Sequence, residues 1–237
     1  RRLLGEGALT AAFVPKLQEA LIGGQKAGAF RLLSNVATWL AVVTGGLVAL
    51  AMLGLSQSHR LQFENHDWYL VAHLSVLLFP YLAFVCVAAV LSAALNVLGR
   101  FTEPALSPIW LNLAMIGSLA LAVSGMAGSD IERIHWLCGG VLIGGLLQMV
   151  APALALMREG WRPRFDLRRT PAVDEIAALM APALIGVAIY QINIYVARLI
   201  AFSLERSAAS ALFFANRLME LPIGVFAIAV STVVYPL

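Results

Sequence analysis

The fold class this sequence predicts is an all-α, polytopic membrane helical bundle with about six complete transmembrane helices and the end of another. Three observations carry that reading. Hydrophobic residues make up 61% of the 237 and charged residues only 12%, and the mean hydropathy is +0.86, more apolar surface than a soluble domain of this length needs. Apolar runs of about 20 residues or more, enough to cross the hydrocarbon core, recur between short polar loops. Basic residues concentrate in alternate loops, as topology signals do.

Residues 1–31 are the least apolar section, and LLGEGALTAAFVPKL reads as the end of a helix running out to a basic loop with Lys16, Lys26 and Arg31. The first complete span covers Ser34 to Leu55, where Gly45, Gly46, Thr38 and Thr44 suit close helix contact. A polar loop, Ser56 to Asp67, precedes Trp68 and Tyr69, which mark an interface, and a second span runs to Leu98 with Pro80 near its middle. The third span, Pro104 to Ser124, places Pro104 in a first turn and Asn112 as a candidate buried polar group. Gly125 to Arg133 forms the next loop. The fourth span, Ile134 to Met157, carries Gly139, Gly140, Gly144 and Gly145, a doubled small-residue pattern that lets helix backbones approach. A fifth span (Val173 to Leu204) and a sixth (Ser207 to Leu237) complete the chain, both long enough to tilt or bend. Because it opens on Arg1-Arg2 and stops inside an apolar run, the chain is expected to be an internal piece of a longer protein.

Six consecutive spans put the loops at 16–31, 99–103 and 158–171 on one side, and these hold Lys16, Lys26, Arg31, Arg100, Arg158, Arg162, Arg164, Arg168 and Arg169. The opposite loops hold Arg60, Arg133 and Arg206, each with acids nearby, so the first set is expected in the cytoplasm. The net charge of +3 is therefore loop asymmetry and not a nucleic-acid footprint. Cys86 and Cys138 stand alone in apolar stretches, which argues against a disulfide or a cysteine metal site and for small core residues. His59, His66 and His73 recur every seven residues, but the first two fall in the predicted polar loop, so one continuous metal-binding face is not expected. No nucleophile with a base, phosphate loop or zinc-protease helix is evident, which lowers the case for an enzyme.

The strongest functional signal is Arg217 with Glu220, in ANRLMELPIGVFAIAVSTVVYP. Arg217 lies ten residues beyond Ser207, about 15 Å along a helix and near mid-bilayer. A charge there costs roughly 2.5 to 3.5 kcal/mol, so it must face a partner or a wet cavity. Pro222 and Gly224 follow, and a bend is expected just past the charges. Arg198 is a weaker candidate for a cavity or pairing role, since it sits about 9 Å of helix before Leu204, close enough to an interface for its side chain to snorkel. Arg1, Arg2 and Glu6 read first as topology determinants at a cytoplasmic helix end. Gln191, Asn193, Asn112 and Gln148 suit cavity lining or, more commonly, interhelical hydrogen bonds.

Four stretches resemble one family in the same order across the chain. RRLLGEGALTAAFVPKL is similar to the RRxFAEGAFSxAFVP stretch of the MurJ/MviN lipid II flippases, and FFANRLMELPIGVFAIAVSTVVYP to their YYADRLMExPxGVxGVALGTxxLP. Between these, NVLGRFTEPALSPIWLNLAMIG resembles NxxxRFxxPAxxPxLLNxxMIG, and APALIGVAIYQIN resembles GPAxxGVSxxQIN. The resemblance implies a fold of fourteen helices in the MOP superfamily, with MATE antiporters and polysaccharide exporters. Residues 1–171 would then be the remainder of the N-terminal helical half, from the end of helix 2 through helices 3 to 6, and 172–237 the start of the C-terminal half, helices 7 and 8.

It also implies an activity: moving undecaprenyl-pyrophosphate-linked peptidoglycan precursor across the bacterial inner membrane by alternating access between two bundles. Family arginines that bind the pyrophosphate match Arg1, Arg2 and Arg217, the EGA glutamate matches Glu6, and the DRLME glutamate matches Glu220. The family's Asp before that arginine is Asn216 here, which removes one carboxylate neighbour and weighs against ion coupling at this position. The implied partners are the lipid-linked precursor, membrane lipids and the cell-wall synthesis machinery, with no nucleic acid, no metal and no cofactor; a coupling ion or the membrane potential is left open. The rival readings are a related oligosaccharide-lipid exporter, a MATE-type cation-coupled drug antiporter, a membrane enzyme of lipid-linked sugar metabolism, and a scaffold. Arginine as the main cavity charge favours an anionic substrate over a cation.

Overall fold

The computed structural model describes residues 8–23, 26–56, 66–204 and 208–222. Every regular element among them is helical: α1 (Ala8–Ile22), α2 (Lys26–Ser56), α3 (His66–Val97), α4 (Thr102–Leu121), a widened π turn (Ala122–Met126), α5 (Asp130–Arg158), α6 (Pro171–Leu204) and α7 (Ala208–Pro222). Four segments are long and apolar enough to cross a membrane, Lys26–Ser56, Leu70–Val97, Thr102–Met126 and Asp130–Arg158. The chain divides into two compact units, residues 1–184 and residues 185–237.

Several helices begin earlier than their apolar runs. Lys16 belongs to α1 and Lys26 and Arg31 to α2, so the first basic segment is mostly helix and not loop. His66 starts α3 inside the segment expected to be polar loop, and it therefore shares a helix with His73. α5 starts at Asp130, before the apolar run from Ile134. The physical reason is that hydropathy marks where hydrocarbon ends, whereas a helix ends where its backbone is capped. At α5 the cap is explicit: the Ser129 hydroxyl accepts from the Glu132 N–H, and a Glu132 carboxylate oxygen accepts from the Gly128 N–H at 2.6 Å.

In the first unit, α4 packs on α5, α5 on α3, α3 on α2, and α1 contacts both α2 and α3. The seam between α4 and α5 is closed by the absence of side chains. A β-carbon on Gly140 would lie 2.8 Å from the Ala114 carbonyl oxygen and collide with the Ser118 hydroxyl. One on Gly144 would lie 2.9 Å from the Leu111 Cα, and one on Gly145 2.5 Å from the Tyr81 ring of α3. The contact expected from the glycine spacing is therefore present, and dispersion between close backbones is what it supplies in lipid. Gln148, 2% exposed, donates to the Ser107 carbonyl at 2.8 Å across the same seam, the interhelical use expected of it. Asn112 departs from expectation and is exposed. It stands one residue, about 100° of rotation, from the seam position Leu111. Cys86 and Cys138 are buried and unpaired, as small core residues.

The buried apolar core lies toward the end of the unit where α2 begins and α3 and α5 finish, and it includes Phe13, Leu33, Leu91, Leu95, Leu156, Trp161 and Ile176. Two glycines stop helices there. Gly99 and Gly160 have φ of 76° and 96°, a region closed to most L-residues. The Arg100 N–H reaches the Leu95 carbonyl at 2.8 Å and the Trp161 N–H the Leu156 carbonyl at 3.0 Å, the six-to-one bond of a Schellman cap. Trp161 and Leu156, which that cap brings together, are both in the core.

Beyond Trp161 the connection 161–170 has no regular structure, and α2 takes up its polar groups. The Asn35 amide donates to the carbonyls of Asp166 (2.9 Å) and Arg168 (2.8 Å) and accepts from the Thr170 hydroxyl at 3.2 Å. The Thr38 hydroxyl donates to the carbonyl of its own helix at Ser34 (2.7 Å) and lies 3.3 Å from both the Arg164 carbonyl and the Asp166 N–H. The Trp161 indole donates to the Ser34 hydroxyl at 2.9 Å. Ion pairs complete this end. Arg100 meets a Glu159 oxygen at 2.7 Å, Lys26 approaches the other at 3.7 Å, and Lys16 reaches Glu175 of α6 at 2.9 Å. The segments 16–31, 99–103 and 158–171 thus share one end of the unit, as the charge pattern predicts.

Candidate functional site

The site expected from the sequence centres on α7, where Ala208, Ala211 and Ala215 favour helix and leave the larger side chains to define the surface. Phe213 and Arg217 are four residues apart, one turn, so the guanidinium lies over the ring at 5.8 Å from its centroid. Phe213 also meets Phe214 edge to face, with centroids 5.6 Å apart. Arg198 of α6 shares with Ser210, Phe213 and Phe214 a cavity of about 390 Å³. Phe213 therefore adjoins both arginines. That neighbourhood was not legible in the sequence, where Arg198 read as a snorkelling side chain.

Asn216, Arg217 and Arg198 are all exposed in the second unit. An exposed guanidinium on an otherwise apolar helix presents five donors in a fixed fork, suited to carboxylate or phosphate oxygens. The aromatic face beside it helps to orient the fork. The side chain of Glu220 lies outside the described residues, as do Arg1, Arg2 and Glu6; among the described residues the structure brings Arg198 to the Arg217 region. The bend expected past Pro222 also lies outside them. Gln191 is half-buried and Asn193 exposed. In the first unit the His73 and His135 rings lie 5.5 Å apart, a pairing of α3 with α5 that seven-residue spacing along one helix does not suggest.

Together, the apolar spans, the glycine seam, the basic end and the arginine on α7 define a class: a polytopic, all-α membrane protein with an arginine set into an otherwise apolar helix. The family model described as "Lipid II flippase MurJ" matches residues 1–237, and the chain belongs to that family. It is 35% identical to a probable lipid II flippase MurJ of Haemophilus influenzae, over 100% of this chain and 48% of that protein. It is 32% identical to the probable lipid II flippase MurJ of Vibrio cholerae, over 100% of this chain and 47% of the relative. The lipid II flippase MurJ of Burkholderia cenocepacia is 29% identical over the same shares, 100% and 47%. The chain spans about half the length of the curated relatives it matches.

Proposed function

We propose that the protein containing this chain translocates lipid II, the undecaprenyl-pyrophosphate-linked peptidoglycan precursor, across the bacterial inner membrane for cell-wall synthesis. The observation that carries the proposal is the family match over the whole chain, in a helical structure whose spans suit a membrane. The work is noncovalent. Arg217, with Arg1 and Arg2, binds the pyrophosphate by charge-assisted hydrogen bonds, and two helical halves, residues 1–171 and 172–237 with the rest of the protein, alternate access to the site. Glu6 and Glu220 balance the arginines, and Asn216 leaves ion coupling to another position or to the membrane potential. The cell-wall synthesis machinery that receives the precursor is the natural partner.

Growth complementation on depletion of the native flippase tests this reading, using the full-length protein at matched membrane expression. Arg217→Ala is expected to fail, and Arg217→Lys to insert but support growth poorly, because an ammonium offers a point charge in place of a fork. If Arg217 only balanced Glu220, Arg217→Leu with Glu220→Leu would restore growth, since a buried ion pair can be replaced by apolar packing. A functional double variant overturns the pyrophosphate role.

A further inference from the structure

A cavity of about 520 Å³ lies at the basic end of the first unit, lined by Lys26, Phe30, Arg31, Arg162 and Arg164 with Glu159. Its charge is four cations against one carboxylate, and that carboxylate is already held by Arg100 and Lys26. Among the described residues Arg31 bonds to its own helix, at the Ala27 carbonyl, and neither it nor Arg162 or Arg164 has an acidic partner. Like charges gathered around one concavity repel, and folding brings them there by fixing the backbone: the Schellman cap at Gly160 turns the chain, and the Thr38 hydroxyl accepts from the Asp166 N–H. The site also has an apolar wall, Phe30, with Lys26 5.5 Å from its ring centroid.

We infer that this cavity binds the phosphodiester headgroup of an anionic membrane glycerophospholipid, at a site separate from Arg217 and independent of what the protein transports. Its position fits such a ligand. It opens where α2 begins and α5 ends, at the margin of two apolar spans, which is the depth of lipid phosphates. Guanidinium forks match phosphate oxygens, and the Phe30 wall suits the glycerol and first acyl carbons. Occupancy would offset part of the cluster's excess positive charge and tie α2 to the connection leading into α6.

The test uses purified full-length protein in neutral detergent, titrated with phosphatidylglycerol while the thermal unfolding midpoint is followed. The expected result is a saturable rise whose half-maximal concentration increases roughly tenfold or more in Arg162→Ala with Arg164→Ala. Lipid-free stability of that variant should not fall, because both side chains are exposed and their removal lessens the repulsion within the cluster. A control, Arg158→Ala with Arg168→Ala, removes the same charge from outside the cavity lining and should leave the titration as in the wild type. An equal loss in the control would overturn the site in favour of diffuse surface charge. An equal rise with phosphatidylcholine would also overturn it, as would full competition by inorganic phosphate at millimolar concentration, which would mean free phosphate and not lipid.

Discussion

The first unit contains two interfaces built on opposite means. Between α4 and α5 the contact exists because side chains are missing, whereas between α2 and residues 161–170 it exists because polar side chains are present. The difference follows from what each interface must satisfy. Two helices have already used their backbone groups internally, so close approach needs only small residues. An irregular connection has not. Its carbonyls at 166 and 168 need donors and its N–H at 166 an acceptor, and Asn35 and Thr38 provide them from a helix face. Glycine makes the first interface and would be useless in the second.

The largest effect that would break this comparison comes from adding bulk to the glycine seam. Gly140→Leu and Gly144→Leu should abolish the yield of folded full-length protein, since even a β-carbon meets backbone or Cα atoms within 3 Å there. Gly140→Ala is the finer probe, expected to cost about 1 to 3 kcal/mol by overpacking. Gly139→Ala supplies the contrast, because a β-carbon at that position meets nothing within 4 Å. Thermal unfolding in detergent compares the two. Equal stability of Gly139→Ala and Gly140→Ala would show that the seam is not close-packed.

A smaller loss is expected at the polar interface. Asn35→Ala removes donors from two carbonyls and the acceptor for Thr170, and leaving buried groups unsatisfied should cost roughly 1 to 3 kcal/mol. Asn35→Asp retains the acceptor but loses both donors, so it should be no better than alanine, while Asn35→Gln keeps the chemistry at the wrong reach. Limited proteolysis at the arginines of 162–169 reads the interface directly, with faster cleavage expected in Asn35→Ala. Unchanged cleavage would mean that the connection is held without Asn35.

These two interfaces also explain which parts of the molecule were legible in its sequence. The glycine seam was, because its pattern is local: Gly140 and Gly144 stand one turn apart on one helix, and spacing alone implies a shared face. The docking of 161–170 was not, since Asn35 and its acceptors are 131 and 133 residues apart and a backbone carbonyl carries no residue-type signal. A hint was present in Ser34, Asn35 and Thr38 near one end of an apolar span, more polar atoms than close packing requires. The same distinction holds at α7. Arg217 stood out because a charge in an apolar helix is locally anomalous, whereas the sharing of Phe213 with Arg198 depends on how α6 and α7 meet.

The smallest expected effect sharpens the contrast through pH. The Arg100 guanidinium beside Glu159, with Lys26 adding to it, holds the Glu159 carboxyl below its ordinary value. A depressed folded-state value means that the ionised carboxylate stabilises the fold at neutral pH. That contribution is fully present above the unfolded-state value, begins to fall near pH 4.5, and is gone below the folded-state value. Glu159→Gln lacks it throughout, so the midpoint difference between wild type and variant should be constant near neutrality and close as the pH drops below about 4.5. The α4–α5 seam offers the reference, because its contact residues Leu111, Ala114, Ser118, Gly140 and Gly144 do not titrate. The deficit of Gly140→Ala should therefore stay the same across that range. A Glu159→Gln deficit that also stays level would show that Arg100 and Lys26 do not stabilise this end through the Glu159 charge.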